Sequence, residues 1–392
     1  MRKGRLGLRL AGMLVMAAAC WAQEAPAPRV VELAAADGVK LKATYFAAAK
    51  PGPGVLLLHQ CNQQRKKWDE LAGRLAAAGI HVLTLDYRGY GESGGTPYQQ
   101  LVGTPMFAQI MAYKWPTDID LAYDYLLAQP GVKGGIVGAS GASCGVNNAI
   151  QLARRHPEVK SLVLLSGGTD RDGRTFLRKS EKLPELFAAA SDDDGAAELM
   201  QLLYDLSPNP GSRYVHYQMG GHGVDMFPVH KELPGMIVDW YVQTLVTTPG
   251  SAPAGKANEA GKRSAEMLEL IDSPSGAEKA AAMLAEARKK DPHAKLFSEF
   301  LVNMLGYEHL QAGDNKGAIE ILQLNVAAYP NSPNVYDSLS DAYLADGQKE
   351  LARENAKKAL ELLPSDTVDD AERKKGIQGN AEMKLKQLSE KP

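Results

Sequence analysis

A run of eight small residues, Gly-Ala-Ser-Gly-Ala-Ser-Cys-Gly at 138–145, constrains the fold of this chain more than any other segment. An apolar run at 135–137 precedes it, and a helical pattern at 146–155 follows it. Where a chain turns sharply from a buried strand into a helix, the turn is strained and only small side chains fit around it. The run therefore predicts a strand–turn–helix unit that presents a serine at the turn.

Short apolar runs alternate with helical patterns through most of the chain before residue 247. The runs at 54–59 and 80–86 lack polar alternation, as strands buried on both faces do. Helical spacing is found at 68–78 and 115–127. This alternation predicts an α/β domain with a mostly parallel sheet and helices on both faces. The remaining predicted elements are a hairpin at 29–46, strands at 161–166, 186–190 and 214–219, and a helix at 236–245.

The second half of the chain has a different pattern. Residues 248–262 are rich in Pro, Gly, Ala, Thr and Ser, which predicts a linker between a domain at 23–247 and an all-helical domain at 263–392. Small and apolar residues recur at an offset of 34 positions between 299–332 and 333–366, a period typical of tetratricopeptide repeats. We expect a degenerate repeat before these two. We expect the domain to bind a protein partner or to self-associate.

The first 22 residues have the pattern of a secretory signal peptide. Four basic residues among the first nine precede an apolar run at 10–22, which is too short to span a bilayer. We expect cleavage before Gln23 and export to the periplasm or the extracellular space. A degraded lipobox that ends at Cys20 provides an alternative, in which this cysteine is lipidated.

Composition excludes several classes of function. The formal charge of −2 provides no basic surface for nucleic acid. No internal apolar run reaches the length of a membrane span. Because no His/Cys/Asp cluster has metal-ligand spacing and no glycine pattern fits a phosphate loop, we expect no metal and no cofactor.

Four segments together resemble the α/β-hydrolase family, and within it the dienelactone hydrolase-like group. They are Leu56-Leu57-Leu58-His59, Asp86-Tyr87-Arg88-Gly89-Tyr90-Gly91-Glu92-Ser93, the serine turn, and Gly221-His222-Gly223. The resemblance covers most of residues 30–247 and implies an α/β-hydrolase fold with a Ser-His-Asp triad. The chain departs from the pattern twice. Dienelactone hydrolase proper has a cysteine nucleophile where this chain has serine, and the usual His-Gly after the third strand is His59-Gln60 here.

Two serines compete as the nucleophile of this resemblance. Only Ser143 lies in a full Gly-x-Ser-x-Gly motif, whereas Ser140 lies in Gly-Ala-Ser-Gly-Ala. In the family, the helix after the nucleophile commonly ends at a proline fourteen residues later, and Pro157 has this spacing from Ser143. We therefore predict Ser143 as the nucleophile and keep Ser140 as the alternative.

The base of the triad is expected in a loop after the last strand. His222 fits this position, and its flanking glycines would let the imidazole reach the serine. His230 is a weaker candidate because it lies further along and has no glycine neighbours. His216 lies within the predicted strand, and we expect it to serve in packing.

The acid of the triad is expected after the preceding strand, where Asp192, Asp193 and Asp194 are adjacent. In the family it commonly lies nine residues after the proline that opens this strand, and counting from Pro184 this is Asp193. Asp192 and Asp194 remain alternatives. Otherwise these two are expected to cap a helix at 196–204.

The oxyanion hole of the family is made by two backbone N–H groups. One belongs to the residue after the nucleophile, Cys144, and the usual position of the other corresponds to Cys61, with Gln60 as the alternative. After removal of the signal peptide these are the only cysteines. One possibility is a disulfide between Cys61 and Cys144, which would need their Cα atoms about 4.4–6.8 Å apart. The favoured interpretation is two buried thiols that fill small volumes.

Access to the site is expected to depend on residues 97–116, which are rich in aromatic residues and methionine. This segment would either line an apolar pocket or merely pack on the core. Asp118 and Asp120 begin the next predicted helix and are expected to be capping and dipole residues.

The resemblance implies a hydrolase that cleaves an ester, thioester, lactone or small amide through an acyl-serine intermediate, with a small-molecule ester-type substrate. Two alternatives remain at this point. One is a serine peptidase of the same fold, and the other is a non-catalytic binding protein whose helical repeats recruit a partner. The fold alone does not decide among them, because it hosts many chemistries.

Overall fold

A computed structural model describes residues 26–193, 195–251, 254–256 and 258–389. The predicted signal peptide with Cys20 lies outside these residues, as does Asp194. The first domain contains one eight-stranded sheet. Its strands are β1 (Arg29–Ala34), β2 (Lys40–Phe46), β3 (Gly52–Leu58), β4 (His81–Leu85), β5 (Val132–Ala142), β6 (Val159–Leu165), β7 (Glu185–Ala190) and β8 (Arg213–Tyr217).

The strands lie in the order β1-β2-β4-β3-β5-β6-β7-β8. β2 pairs antiparallel with β1 and with β4, and all other neighbours are parallel. The carboxyl ends of β3, β5, β7 and β8 consequently meet at one edge of the sheet, where ligand sites of open α/β sheets form. This topology confirms the α/β-hydrolase fold with a mostly parallel sheet.

Eight α-helices accompany the sheet in the described part of this domain: α1 (Asp69–Ala77), α2 (Tyr98–Leu101), α3 (Pro105–Tyr113), α4 (Trp115–Leu127), α5 (Cys144–Arg155), α6 (Arg171–Lys179), α7 (Ala196–Leu206) and α8 (Leu233–Tyr241). Successive side chains of a strand point to opposite sides of the sheet, so both of its faces are apolar. The helices cover both faces. Leu56 and Leu58 of β3 face the core formed with α4, α5 and α7, whereas Val55 and Leu57 face the core formed with α1 and α8. The prediction of helices on both faces is confirmed.

The rest of the chain is helical over its described part. Its helices are α9 (Glu259–Asp272), α10 (Gly276–Lys290), α11 (Glu299–Gln311), α12 (Asn315–Ala328), α13 (Pro333–Ala345), α14 (Lys349–Leu362) and α15 (Ala371–Ser389). The pairs α11–α12 and α13–α14 coincide with the predicted repeats 299–332 and 333–366. Gly306 permits the close approach within the first pair, because a Cβ there would lie 2.6 Å from Leu322. The assignment to the tetratricopeptide class stays a prediction.

The two halves of the chain share a hydrophobic core. Leu203 and Leu206 of α7 belong to the same buried cluster as Ala265 and Leu268 of α9. The predicted linker at 248–262 therefore overlaps a packed helix, since α9 begins at Glu259.

Among the described residues, three ion pairs join the same halves, and the pair of Arg178 with Glu269 is one of them. Both guanidinium nitrogens of Arg174 in α6 donate to the carboxylate of Glu308, at 2.7 and 2.6 Å, and Arg171 donates to Asp272 at 2.5 Å. Helix α6 is not among the helices predicted from the sequence.

Candidate active site

Ser143 stands at the turn between β5 and α5. Its φ of 52° and ψ of −121° are unusual for a residue with a side chain, and such strain persists only where the surroundings enforce it. The neighbouring glycines are required for space: a Cβ on Gly141 would lie 2.0 Å from the Gly145 carbonyl oxygen, and one on Gly145 would lie 2.5 Å from the Leu58 carbonyl oxygen. The structure thus contains the predicted strand–turn–helix unit with Ser143 at its apex.

The alternative serine occupies a different environment. Ser140 is fully buried within β5, and its hydroxyl shares a hydrogen bond of 2.8 Å with the Tyr241 hydroxyl of α8. A hydroxyl enclosed in the core cannot meet a substrate. The structure therefore favours Ser143, which is only half-buried.

His222 and Asp193 lie together beyond the carboxyl ends of β8 and β7. The imidazole Nδ1 is 2.8 Å from both carboxylate oxygens. The side chain of Asp193 is 11% exposed and that of His222 is 36% exposed, so the acid is shielded while the base remains accessible. A proton on Nδ1 bound to this carboxylate leaves Nε2 as the proton acceptor.

Asp192 has a separate task in the same loop. Its carboxylate accepts hydrogen bonds from the backbone N–H of Gly220, at 3.0 and 3.1 Å, and of Gly221, at 3.1 Å. These backbone bonds lower the pKa of Asp192 below its usual value. Asp192 anchors the loop that carries His222, so the expectation that it caps the following helix is wrong. The N-cap residue of α7 is Gly195, immediately before Ala196.

The other candidate histidines are engaged elsewhere. The His230 ring stacks on Tyr217 at 3.5 Å, and its Nε2 lies 2.6 Å from the Met219 carbonyl oxygen, to which it donates. His216 is exposed on the edge strand β8 and hydrogen bonds to the Ser191 hydroxyl at 2.7 Å. β8 is the last strand of the described sheet, and the His216 ring stacks on Tyr214 at 5.7 Å on the exposed surface. The expected packing role therefore does not extend to the core.

The loop after β3 begins with a buried neutral histidine. Nε2 of His59 accepts the backbone N–H of Tyr87 at 3.2 Å, so its proton resides on Nδ1, which donates to the Gln60 carbonyl oxygen at 2.8 Å. Burial lowers the pKa of His59 to about 4. The Gln60 carbonyl and the Cys61 N–H belong to one trans peptide and point in opposite directions. His59 therefore turns the Cys61 N–H away from itself.

The buried side chain of Gln60 joins this loop to the loop that carries His222. Its Oε1 accepts the Val224 N–H at 2.9 Å, and its Nε2 donates to Asp225 at 3.1 Å. Gly223 lies between the Gln60 side chain and the serine turn. A Cβ on Gly223 would be 2.3 Å from Gln60 Oε1 and 3.2 Å from the Cβ of Ala142. The residue after His222 thus packs against the residue before Ser143. In the sequence, Gln60 is notable as a departure from the family pattern and as the alternative oxyanion donor, and neither feature predicts this bridge.

Cys61 and Cys144 form a disulfide, with their Cα atoms 5.8 Å apart. The favoured interpretation of two thiols is therefore wrong. The structure contains the alternative, a disulfide between the two cysteines that the family's oxyanion positions bring together although 83 residues separate them. Cys144 is the first residue of α5, where a backbone N–H has no acceptor within the helix.

The segment at 97–116 packs on the core through aromatic rings. Trp115 stacks on Tyr87 at 4.3 Å between ring centres, and Tyr98 stacks on Tyr90 at 4.8 Å. Tyr90 in turn contacts the His59 ring at 5.0 Å. The packing interpretation holds for these residues, while Met106 is exposed.

The two acids near the start of α4 pair with arginines, and neither accepts a capping hydrogen bond, although Asp118 lies in the first turn. Asp118 is buried and accepts two hydrogen bonds from Arg88, at 2.6 and 2.7 Å. Asp120 accepts hydrogen bonds from Arg155. The expected capping role of Asp118 is therefore wrong.

The helical domain reaches the loop that carries the acid. Gly195, two residues after Asp193, has a φ of 71°, and a Cβ there would lie 2.4 Å from Cζ of Phe300 in α11. Ser298 donates a hydrogen bond to Glu198 in the first turn of α7. Contacts from both domains thus shape the chain next to Asp193.

Neither a metal cluster nor a membrane-spanning helix is found among the described residues. Across the residues that the structure describes, no group of three or more His, Cys, Asp or Glu side chains is arranged to hold a metal ion. Within the same residues, no helix combines the length and the apolar character needed to cross a bilayer.

Comparison with known sequences places part of the chain near a hydrolase family. A sequence model of the family described as serine aminopeptidase, S33, matches residues 49–192, a range that contains Ser143 and ends one residue before Asp193. An uncharacterized protein of Mycobacterium tuberculosis, found in strains CDC 1551 and H37Rv, is 32% identical over 143 residues. The match covers 36% of this chain and 46% of that protein, so the chain spans less than half of the relative's length.

Solved structures similar to this chain align with little more than half of it. An esterase of Pyrococcus furiosus is 19% identical with a TM-score of 0.45 and covers 56% of this chain and 93% of its own. A dienelactone hydrolase of Anabaena variabilis is also 19% identical, with a TM-score of 0.47, and covers 57% of this chain and 99% of its own.

Proposed function

We propose that this chain is an exported serine hydrolase that cleaves an ester, thioester, lactone or small amide through an acyl-Ser143 intermediate. One observation carries the proposal: Nδ1 of His222 binds both oxygens of Asp193, in a loop that Gln60 holds beside the strained turn of Ser143. A base, its orienting carboxylate and an apical serine in this arrangement suit nucleophilic acyl transfer.

The chemistry proceeds in two halves. His222 Nε2 takes the proton of the Ser143 hydroxyl as the oxygen attacks the substrate carbonyl carbon, and the Asp193 carboxylate stabilises the imidazolium that forms. The backbone N–H groups of Cys144 and Cys61 bind the oxyanion, each contributing about 3–4 kcal/mol to transition-state stabilisation. His222 then protonates the leaving group. Water repeats the attack on the acyl-enzyme, releases the acid and restores Ser143.

A serine peptidase of the same fold is the second candidate. The description of the matching family, serine aminopeptidase, supports it. The triad and the oxyanion hole would be the same, and the two candidates differ only in the bond that is cleaved.

Export is supported by the disulfide, since disulfides persist in oxidising compartments. We expect the mass of the exported protein to correspond to a chain that begins at Gln23. A chain that begins at a lipidated Cys20 would support the lipoprotein alternative instead. The helical domain is proposed to bind a protein partner or a second copy of the chain.

The proposed function is tested with a fluorophosphonate and a panel of ester, thioester, lactone and aminoacyl amide substrates. We expect the wild-type protein to be labelled, Ser143→Ala to lose labelling and turnover, and the matched Ser140→Ala to keep both. Labelling that survives Ser143→Ala but not Ser140→Ala would reverse the choice of nucleophile. A wild-type protein that neither reacts nor turns over any substrate would favour the non-catalytic binding protein.

A further inference from the structure

We propose that the Cys61–Cys144 disulfide is a covalent strap across the oxyanion hole, so that the hydrolase works at full rate only in its oxidised form. The inference rests on the proposed function, because it concerns the two residues whose backbone N–H groups would hold the oxyanion. It adds a positioning role for the sulfur atoms of residues that the chemistry uses only through their backbone.

The position of the bond within the sheet supports this role. β3 and β5 are parallel neighbours in which Leu58 pairs with Gly141. Cys61 and Cys144 each lie three residues beyond this pair, one in the loop after β3 and one at the start of α5. The disulfide therefore joins the two segments at the level where their N–H groups would converge on a substrate oxygen.

The loop around Cys61 has two other anchors, and both are noncovalent. Gln60 is held toward Val224 and Asp225, and Arg65 is held by the buried Asp86 carboxylate. Between them, Asn62 is exposed and Cys61 is only partly buried. Hydrogen bonds from His59 and from the Gln63 N–H hold the Gln60 carbonyl oxygen and so orient the peptide that carries the Cys61 N–H. The disulfide is the covalent connection from this stretch to the serine turn, so its loss would let this peptide shift as a unit relative to that turn.

The turn at Ser143 does not need the disulfide for its own shape. Gly145 packs on the Leu58 carbonyl oxygen, and Gly167 packs on the Ser143 carbonyl oxygen, where an added Cβ would lie 2.4 Å away. Backbone packing thus holds one side of the oxyanion hole, and the strap ties the other side to it. Reduction should then change the separation of the two donors rather than unfold the turn.

The redox step requires a dithiol. One thiolate of the dithiol attacks a disulfide sulfur and releases the other cysteine as a thiol. The second thiol of the reductant then closes a ring and releases the first cysteine. The protein gains two electrons and two protons, and the dithiol becomes a cyclic disulfide. Both cysteines are partly exposed, which gives the reductant access.

The test compares oxidised protein, dithiothreitol-treated protein and the Cys61→Ala/Cys144→Ala double variant, which keeps both backbone N–H groups. An oxyanion contact is stronger in the transition state than in the ground state, so its misplacement should lower kcat and leave KM nearly unchanged. We expect kcat to fall about 100-fold in the reduced protein and in the double variant. Affinity for a boronic acid that mimics the tetrahedral intermediate should fall in parallel, and reoxidation should restore the wild-type protein.

Thermal unfolding, followed by circular dichroism, separates this effect from a loss of folding, and kinetics are measured well below the midpoint. Two free thiols in the exported protein, or a double variant that retains full kcat, would overturn the strap while leaving the proposed function intact. Parallel changes in KM and kcat that follow the folded fraction would also overturn it. Absence of Ser143-dependent turnover in oxidised wild-type protein would overturn the proposed function and the strap together.

Discussion

The ring of Phe300, from the helical domain, lies directly over Gly195, two residues beyond the carboxylate that binds His222. Gly195 has a positive φ, and the ring fills the space that a side chain would need. The segment that carries Asp193 is therefore shaped by residues from both halves of the chain.

Gly195→Ala should destabilise the protein and lower kcat, because its methyl group collides with Phe300 and its φ is strained. We expect a loss of about 2–4 kcal/mol in the free energy of unfolding, measured by denaturant titration. Gly313→Ala is the matched control, since Gly313 also has a positive φ but has nothing within 4 Å of an added Cβ. Equal losses in the two variants would show that the Phe300 contact has no effect. Adding Phe300→Ala to Gly195→Ala should recover part of the loss.

Asp193→Asn and Asp192→Asn should separate the two neighbouring carboxylates. We expect Asp193→Asn to lower kcat about 10⁴-fold with little change in stability, because the amide favours the wrong tautomer of His222. Asp192→Asn should lower stability by about 1–3 kcal/mol and affect kcat less, because it weakens the bonds to the Gly220 and Gly221 N–H groups. Steady-state kinetics and thermal unfolding measure both. The assignment of the acid would be wrong if Asp192→Asn proved the more damaging to kcat.

Glu185 should make the protein less stable as the pH rises from about 6.5 to 8. Burial raises its pKa to about 8, so in this range the native state holds a proton that the unfolded state has lost. The stabilisation is complete below pH 4.5 and disappears as the pH passes 8. Its total is about 3–5 kcal/mol. Glu185→Gln, which stays neutral, should flatten this slope in urea titrations. An unchanged slope would show that Glu185 is ionised in the native protein.

The buried ion pair of Arg65 and Asp86 should be essential for stability. Both side chains are fully buried, and the Asp86 carboxylate also accepts the Arg65 backbone N–H at 2.7 Å. Asp86→Asn should cost about 3–5 kcal/mol, because it removes the buried carboxylate of the pair and leaves the Arg65 guanidinium with only the half-exposed Glu92 as counter-charge. The exposed pair of Glu70 and Arg74 is the control, and Glu70→Gln should cost less than about 0.5 kcal/mol. Similar costs for the two changes would contradict the prediction.

The elements of the first domain were predictable where burial alone determines them. β3 and β4 are apolar runs because both faces of a central strand are covered, and α4 is found at the predicted residues 115–127. The helix α6 was missed because its sequence, Arg-Asp-Gly-Arg-Thr-Phe-Leu-Arg-Lys, is highly charged. Its arginines pair with acids of the helical domain that lie far along the chain.

In the site, too, local motifs predict some residues, whereas contacts between distant segments are not predictable from them. Small residues around Ser143 are a local requirement of the turn, so a motif reveals them. The bridge from Gln60 to Val224 joins residues 164 positions apart, and the disulfide joins residues 83 positions apart. No local pattern encodes such distances. The single-residue choice of Asp193 over Asp192 came from family spacing, and in the structure it depends on how the chain turns after β7.

The shared apolar core of α7 and α9 also affects how the protein must be made. Synthesis releases α7 before residues 259–272 exist, and until then Leu203 and Leu206 lack the surface that covers them. Exposed apolar helix faces of this kind promote aggregation and attract chaperones. The first 247 residues, expressed alone, should therefore be recovered in low soluble yield. Co-expression with residues 248–392 as a separate chain should restore that yield.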